Sequence, residues 1–132
     1  MILTPNDPND QEGIKMSGEK NCIFCRILSG EIPANKVYES PEIFAFRDVN
    51  PQAPTHILLI PREHIAGTND LEEEHAELVG KMVLAARDLA KKEGISEGGY
   101  RLVFNCNRNA GQAVFHIHLH LLGGRVFSWP PG

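Results

Sequence analysis

Hydrophobic positions change their period several times along this chain, and the order of those changes predicts its elements. In "NCIFCRILSGEIP", residues 21–33, apolar Ile23, Phe24, Ile27 and Leu28 fall at helical spacing and predict a short helix. Gly30 offers a C-terminal stop, with Pro33 shortly beyond it. "KVYES" and "IFAFRD" then read as two strands joined by a hairpin turn at Ser40-Pro41. Pro51 and Pro54 each fix φ, so "VNPQAPT" is a stiff loop. "HILLIP", residues 56–61, is a short apolar strand suited to the middle of a sheet, and Pro61 ends it.

From Asp70 to Gly94 the period becomes helical, with Leu71, Leu78, Met82, Ala86 and Leu89 on one face. Asn69 or Asp70 is the expected cap. Glu72, Glu73 and Glu74 fall where the helix dipole favours acids, and Lys91 and Lys92 where it favours bases. The acidic run is thereby explained as a solvated helix start, and His75 is expected on the surface of the same helix. "YRLVFN" and "HIHLHLL" are the last two strands, connected by the loop "CNRNAGQAVF". A helix, three strands, a long helix and two strands, without βαβ alternation, predict an α+β domain with an antiparallel sheet.

Composition narrows the function classes. With 132 residues, 42% of them hydrophobic, the chain can bury a core as one domain. A net charge of -4 gives no electrostatic footprint for nucleic acid or an anionic membrane, so neither is expected as a partner. The longest apolar runs, Ile57–Ile60 and Met82–Ala86, are far short of the roughly 20 residues of a membrane helix. Residues 1–20 are rich in Asn, Asp, Pro and Gly and lack a signal peptide's apolar region, so they are read as a flexible extension to a domain spanning 21–132. Three cysteines do not make a disulfide framework, and the cytoplasm is the expected compartment.

The candidate chemistry is concentrated in "FHIHLHLLGGR", residues 115–125, which holds three of the six histidines at every second position. On a strand, His116, His118 and His120 share one face, with neighbouring Cα atoms about 6.6–6.8 Å apart. The row is a metal site, a proton- or phosphate-handling site, or a polar outer face. Imidazole is neutral and nucleophilic near its ordinary pKa of about 6.5, and a coupled row can keep one ring as nucleophile while another is cationic. Such a row suits attack on a phosphate. The turn "NAGQ" just before it supports this reading. Gly111 permits backbone N–H groups to face an anion, with Asn105 and Gln112 as polar contacts. Separately, Cys22-x-x-Cys25 has the spacing of half a zinc site, although a helix start can also carry inert thiols.

"PTHILLIPREH", "GQAVFHIHLHLLGGR" and the terminal "WPPG" together resemble the histidine triad (HIT) superfamily, in particular its Hint branch. The resemblance runs from about Asn21 to Gly132. It implies a HIT-like fold: a five-stranded antiparallel sheet with one short and one long helix, continued across a homodimer. It also implies hydrolysis of purine nucleoside 5′-phosphoramidates, derivatives of AMP or GMP, through a nucleotidyl-histidine intermediate.

His118 matches the family nucleophile, His120 the phosphate contact and His56 the upstream histidine that completes the polar cluster. Asp48 matches the acid that binds the ribose hydroxyls, and one carboxylate can accept from both hydroxyls of a diol. Phe24, Ile27, Phe46 and Val49 match the base pocket, although spacing alone does not separate pocket from core. Asn105, Gly111, Gln112, Ala113 and Val114 match the phosphate and leaving-group side. Trp129 lies in a tail that in the family reaches the partner subunit's site.

The resemblance further implies a closed structural Zn2+ held by Cys22, Cys25, His64 and His116, and no redox cofactor. Ala113 departs from the serine of eukaryotic Hint proteins, which puts rate and leaving-group preference in question. Two other readings stand beside this one. Dinucleoside polyphosphate cleavage belongs to the Fhit branch, which ends its triad in glutamine where this chain has His120. A nucleotide-binding interaction protein with little turnover is also compatible with the residues. A metallohydrolase using the row as ligands would need an acidic ligand beside it, and the sequence places none there.

Overall fold

A computed structural model of the chain describes residues 20–132; the extension expected over residues 1–20 lies almost wholly outside them. Seven elements follow in order: α1 (Ile23–Leu28), β1 (Lys36–Glu39), β2 (Ile43–Arg47), β3 (Thr55–Pro61), α2 (Ala76–Lys92), β4 (Tyr100–Phe104) and β5 (Leu119–Gly123). The strands form one antiparallel sheet, as the pattern of elements predicts, and the structure sets their order as β1-β2-β3-β5-β4. β3 is central and buried along its whole length, which explains its unbroken run of apolar residues.

The register decides what each face carries. Ile57 lies opposite Leu121 and Leu59 opposite Leu119, so these four point one way. With Ile43 and Ala45 they pack against Met82, Ala85, Ala86, Leu89 and Ala90 of α2 to form the main core. The alternate residues point the other way: His56 opposite Leu122, and Leu58 opposite His120. On that face Phe46, Leu58 and Ile60 form a second cluster with Cys22, Phe24 and Cys25, which brings α1 over the sheet. One face is thus closed by the long helix. The other is partly closed by the short helix and carries the histidines.

Three local expectations are corrected. α2 begins at Ala76 rather than Asp70, after two single 3-10 turns at Thr68–Asp70 and Glu73–His75. Its entry is fixed by Glu72 and His75, not by Asn69 or Asp70. The Glu72 carboxylate accepts from the backbone of His75, and His75 Nδ1 accepts from the Glu72 N–H at 2.9 Å. His75 is therefore buried rather than a surface residue, and its Nε2–H donates to Glu63 at 3.1 Å.

The third correction concerns the histidine row. β5 starts only at Leu119, so His116 and His118 precede the strand. The ladder stops there because this backbone turns to other partners: Ile117 N–H donates to Ile65 O at 2.6 Å, and the rings of His116 and His118 bond carbonyls.

Glycine ends β5 for steric reasons. A Cβ on Gly123 would lie 2.5 Å from Ile95 Cδ1 and 3.1 Å from Ile95 Cβ, so the end of β5 and Ile95, three residues beyond α2, meet without space for a side chain. Gly123→Ala is expected to destabilise the fold by about 1–3 kcal/mol, the usual cost of overpacking, read from chemical denaturation. In an Ile95→Val background, which removes the Cδ1 methyl, the same substitution is expected to cost less.

Candidate active site

Four groups meet on the α1 face of the sheet: His56 from β3, His120 from β5, His118 just before β5, and Asp48 just after β2. The rings of His118 and His120 are 4.9 Å apart, and those of His56 and His120 5.2 Å apart. The edge of Phe24 packs on His118 with centroids 5.1 Å apart, so α1 supplies the wall against which that ring stands.

Backbone groups decide where each imidazole carries its proton. His118 Nδ1 lies 2.8 Å from its neighbour's carbonyl, His116 O, and a carbonyl only accepts. The proton therefore sits on Nδ1, and Nε2 keeps its lone pair. At His56 the polarity is opposite. Its Nδ1 accepts from the Gln52 N–H at 3.0 Å, so Nε2 bears the proton and donates to His120 Nδ1 at 2.9 Å. His120, accepting at Nδ1, carries its own proton on Nε2. The cluster therefore holds one ring with a free lone pair beside one ring with a free N–H.

Burial pushes the His118 pKa down, and the hydrogen bond to His116 O only partly offsets this. Burial, then repulsion from His118 and His56, takes His120 down to about 4. Burial also lowers His56 against the attraction of Asp48. All three rings are therefore disposed to be neutral at neutral pH, the uncharged form of the row rather than the one in which a ring stays cationic. The same tautomers argue against a catalytic metal. Asp48, His56 and His120 bring three ligand atoms within 4.8 Å. Yet His56 Nε2 has no lone pair for a cation while Gln52 N–H occupies Nδ1.

Asp48 is held by its own turn. Its Oδ1 accepts from Asn50 N–H at 2.8 Å, and its backbone N–H donates to His56 O at 3.0 Å. Oδ2 stands 3.4 Å from His56 Nε2, at the side of the histidine cluster. The preceding Arg47 is clamped to Glu93, beyond α2, through two hydrogen bonds of 3.0 and 2.9 Å, so the end of β2 is fixed.

The turn before the triad differs in detail from expectation. Gly111 has the left-handed φ of +82° that the turn requires, but its N–H donates to Arg108 O and that of Gln112 to Asn107 O. Gln112 is buried, and its amide holds the loop together by donating to Ala66 O and Val114 O and accepting from Asn107 N–H. Among the described residues, nothing accepts from the N–H groups of Ala113 and Val114. The N–H groups of Gly111 and Gln112 are thus spent within the loop, while those of Ala113 and Val114, which the resemblance also matches to the phosphate side, are not. Ala113 is exposed, and Asn105 is half-buried at the end of β4.

Of the residues matched to a base pocket, Phe24 and Phe46 pack edge-on at 5.5 Å, with Ile27 and Val114 against the same cluster. Val49 is 98% exposed and Trp129 83% exposed, so within one chain these two are not packed.

Cys22, Cys25, His64 and His116 form a second constellation, with their ligand atoms within 4.8 Å of one another. His116 Nε2–H donates to Pro61 O at 2.8 Å, which leaves Nδ1 free to face Cys22 Sγ at 3.4 Å and Cys25 Sγ at 3.6 Å. His64 Nδ1 lies 3.3 Å from Cys25 Sγ. In a tetrahedral zinc site, bond lengths of about 2.3 Å to sulfur and 2.0–2.1 Å to nitrogen put sulfur and nitrogen about 3.6 Å apart. The four residues fit that ion. Cys22 is held far below the ordinary thiol pKa by hydrogen bonding to Cys25, then to His116 and His64, against its burial. The surroundings of His116 thereby differ from those of the other two histidines of its row.

Sequence reasoning did not find Gln52, whose contribution is a backbone N–H, nor the Glu63–His75 contact next to His64. A main-chain donor leaves no residue signature. His75 and Glu63 are joined only by tertiary folding.

Comparison with known proteins places the chain. The HIT domain family model matches residues 29–127. The purine nucleoside phosphoramidase of Escherichia coli (strain K12) is 52% identical over 103 residues, covering 78% of this chain and 87% of that one. A 14 kDa zinc-binding protein of Zea mays is 50% identical over 112 residues, covering 83% and 87%. The crystal structure of a HIT family hydrolase from Legionella pneumophila superposes with a TM-score of 0.83 at 58% identity, covering 85% of this chain and all of that one. The strand order, the triad with its backbone-assigned tautomers and these likenesses agree: the chain belongs to the HIT domain family.

Proposed function

We propose that this chain hydrolyses purine nucleoside 5′-phosphoramidates, of the AMP-NH2 or AMP-lysine type, through a nucleotidyl-histidine intermediate on His118. The observation that carries the reading is the tautomer pair: His118 with its Nε2 lone pair free, and His120 beside it with Nε2–H free. The phosphoramidase name of the Escherichia coli relative supports the substrate class.

His118 Nε2 attacks the α-phosphorus as the P–N bond breaks, and the amine departs after taking a proton from solvent. The ring, now bonded to phosphorus, becomes cationic, and His116 O stabilises that charge through Nδ1–H. His120 Nε2–H and the N–H groups of Ala113 and Val114 donate to the phosphoryl oxygens, which gain charge in the transition state. Asp48 accepts from the ribose hydroxyls, and Phe24, Ile27, Phe46 and Val49 receive the purine. Water then attacks phosphorus as the bond to His118 Nε2 breaks and gives up one proton to solvent; His118 leaves as the neutral ring, and the nucleoside monophosphate is released.

Cys22, Cys25, His64 and His116 hold a structural zinc, in line with the name of the Zea mays relative. With four protein ligands its position is closed, and it supplies no reactive water. It ties α1 and the segment after β3 to the start of the triad. The sheet continues across a homodimer at β4, an edge strand half-buried in one chain and carrying Leu102, Val103 and Phe104. Across that edge, Trp129 reaches the partner's site. Among the described residues no helix is long and apolar enough to cross a membrane. The two thiolate ligands suit the reducing cytoplasm.

A nucleotide-binding protein with little turnover is the second reading, favoured by Ala113, which offers a methyl where a hydroxyl would assist the leaving amine. Intact mass during turnover of an adenosine phosphoramidate separates the two. The native chain is expected to carry a nucleotidyl adduct. His118→Ala is expected to carry none and to lose at least about 10³-fold in kcat. Native-rate turnover by that variant would sink the assignment.

The neutral cluster sets the pH response. The unfolded chain takes up protons at its imidazoles near pH 6.5, before the folded chain does at His56, His118 and His120. Stability is therefore expected to be level from pH 8 to about 6.5 and to decline below it, whereas kcat/KM, which follows the folded rings, is expected to stay level to a lower pH before it falls. A decline in kcat/KM beginning above pH 7 would contradict a neutral cluster.

Metal analysis of protein purified without chelator is expected to give one zinc per native chain and a clear loss in Cys22→Ser. Equal zinc in both, or none in either, would refute the four-ligand site.

A further inference from the structure

The segment that follows the triad is bound to the loop that controls the triad's protons. Gly124 takes a left-handed φ of +93°, and a Cβ there would come within 2.9 Å of Pro54 Cβ, so the chain turns directly against the proline loop. That turn places Arg125 over Gln52. Its Nε–H donates to Gln52 O at 3.0 Å and its Nη1–H to Val126 O at 3.1 Å. The guanidinium lies over the Phe127 ring, 4.2 Å from the centroid. Arg101 lies over the same ring at 4.9 Å and donates to Ser128 O at 3.0 Å. The guanidinium of Arg125 is therefore oriented by stacking before it reaches the carbonyl, where a flexible ammonium would not be.

Gln52 is the residue whose N–H occupies His56 Nδ1. Its side chain is already turned to Asn50 O, so the residue is held at three points: carbonyl, amide N–H and side chain. Of these, only the carbonyl contact comes from a distant part of the chain. The consequences run inward along one chain of hydrogen bonds, each of which fixes the direction of the next. With Gln52 N–H at Nδ1, His56 must donate from Nε2; with that donor at His120 Nδ1, His120 must present Nε2–H outward. If Gln52 moved away, His56 could carry its proton on Nδ1. Its Nε2 would then compete for a proton with His120, whose free N–H would turn inward.

We infer that Arg125 is a positioning residue that, by holding Gln52, selects the His56 tautomer and through it the outward Nε2–H of His120. The part that concerns turnover rests on the reading of His120 as the phosphate contact. The part that concerns tautomers does not.

The test is long-range 1H–15N correlation on uniformly 15N-labelled protein at pH 7.5, which reports the protonated nitrogen of each ring directly. It is combined with steady-state turnover of an adenosine phosphoramidate. In the native chain, Nδ1 of both His56 and His120 is expected to show the shift of an unprotonated nitrogen. In Arg125→Ala those shifts are expected to move towards the averaged values of rings exchanging tautomers. The same variant is expected to lose on the order of tenfold in kcat, the scale of losing an outer hydrogen-bond partner, with KM within about twofold.

Arg125→Lys, which still reaches a carbonyl, is expected to recover part of both. Arg101→Ala, which releases the tail at Ser128 without touching Gln52, is expected to keep the native shifts. Unchanged shifts in Arg125→Ala overturn the proposal, as does a tautomer change with native kcat. Equal effects in Arg101→Ala and Arg125→Ala overturn it too, because they assign the effect to the tail as a whole. If the native chain turns over no phosphoramidate, the functional reading fails while the nitrogen shifts still decide this one.

Discussion

Every role in the site depends on which nitrogen of each imidazole is protonated, and the main chain makes that choice. The carbonyl of His116 holds the proton of His118 on Nδ1, the carbonyl of Pro61 holds that of His116 on Nε2, and the N–H of Gln52 excludes a proton from His56 Nδ1. Three rings of the same chemistry thus leave the folding reaction as three different reagents: an open lone pair, a lone pair facing two cysteine sulfurs and a relayed N–H donor. Because backbone groups are fixed by the sheet and its loops, the assignment is made before any substrate arrives. This is preorganisation in its simplest form.

Burial supports the same arrangement. Removing His118 and His120 from water disfavours their charged forms, and like-charge repulsion adds to the effect, from His116 at His118 and from His118 and His56 at His120, so both remain neutral at physiological pH. A charged His120 would need a proton on Nδ1, where His56 already donates, so electrostatics and hydrogen bonding exclude the same state. The thiols respond in the opposite direction. Hydrogen bonding favours the Cys22 thiolate strongly enough to overcome burial. The two clusters are therefore tuned oppositely, and Phe24 packs edge-on against a ring of each, His116 and His118.

Much of this was legible before folding was considered. Seven elements and their order follow from hydrophobic period, and the apolar run of "HILLIP" marks the central strand. Alternation identifies the triad as a unit. The Cys22-x-x-Cys25 spacing marks one half of a cluster, and the resemblance supplies His64 and His116 as the other half, which the fold brings together. Where the periodic reading went astray, a local competitor had won. The long helix starts six residues late because Glu72 and His75 cap each other. β5 starts late because the rings and backbone at 116–118 find partners outside the ladder. Gln112 is buried in its own loop because Ala66, Asn107 and Val114 converge on its amide.

The sequence by itself determined the α+β class, the family and the row of imidazoles, since these depend on residue type, period and spacing, which are local and additive along the chain. Only the tertiary structure decided how the row divides. A histidine's spacing does not say which of its nitrogens bears the proton; that depends on a carbonyl or an N–H brought to 2.8–3.0 Å from elsewhere in the fold. Nor does spacing show that His116 turns to the thiols of α1, that His75 is buried against Glu63, or that Arg125 braces the loop behind His56. Each of these is a directional contact between segments distant in sequence, and direction is a property that only the folded chain possesses.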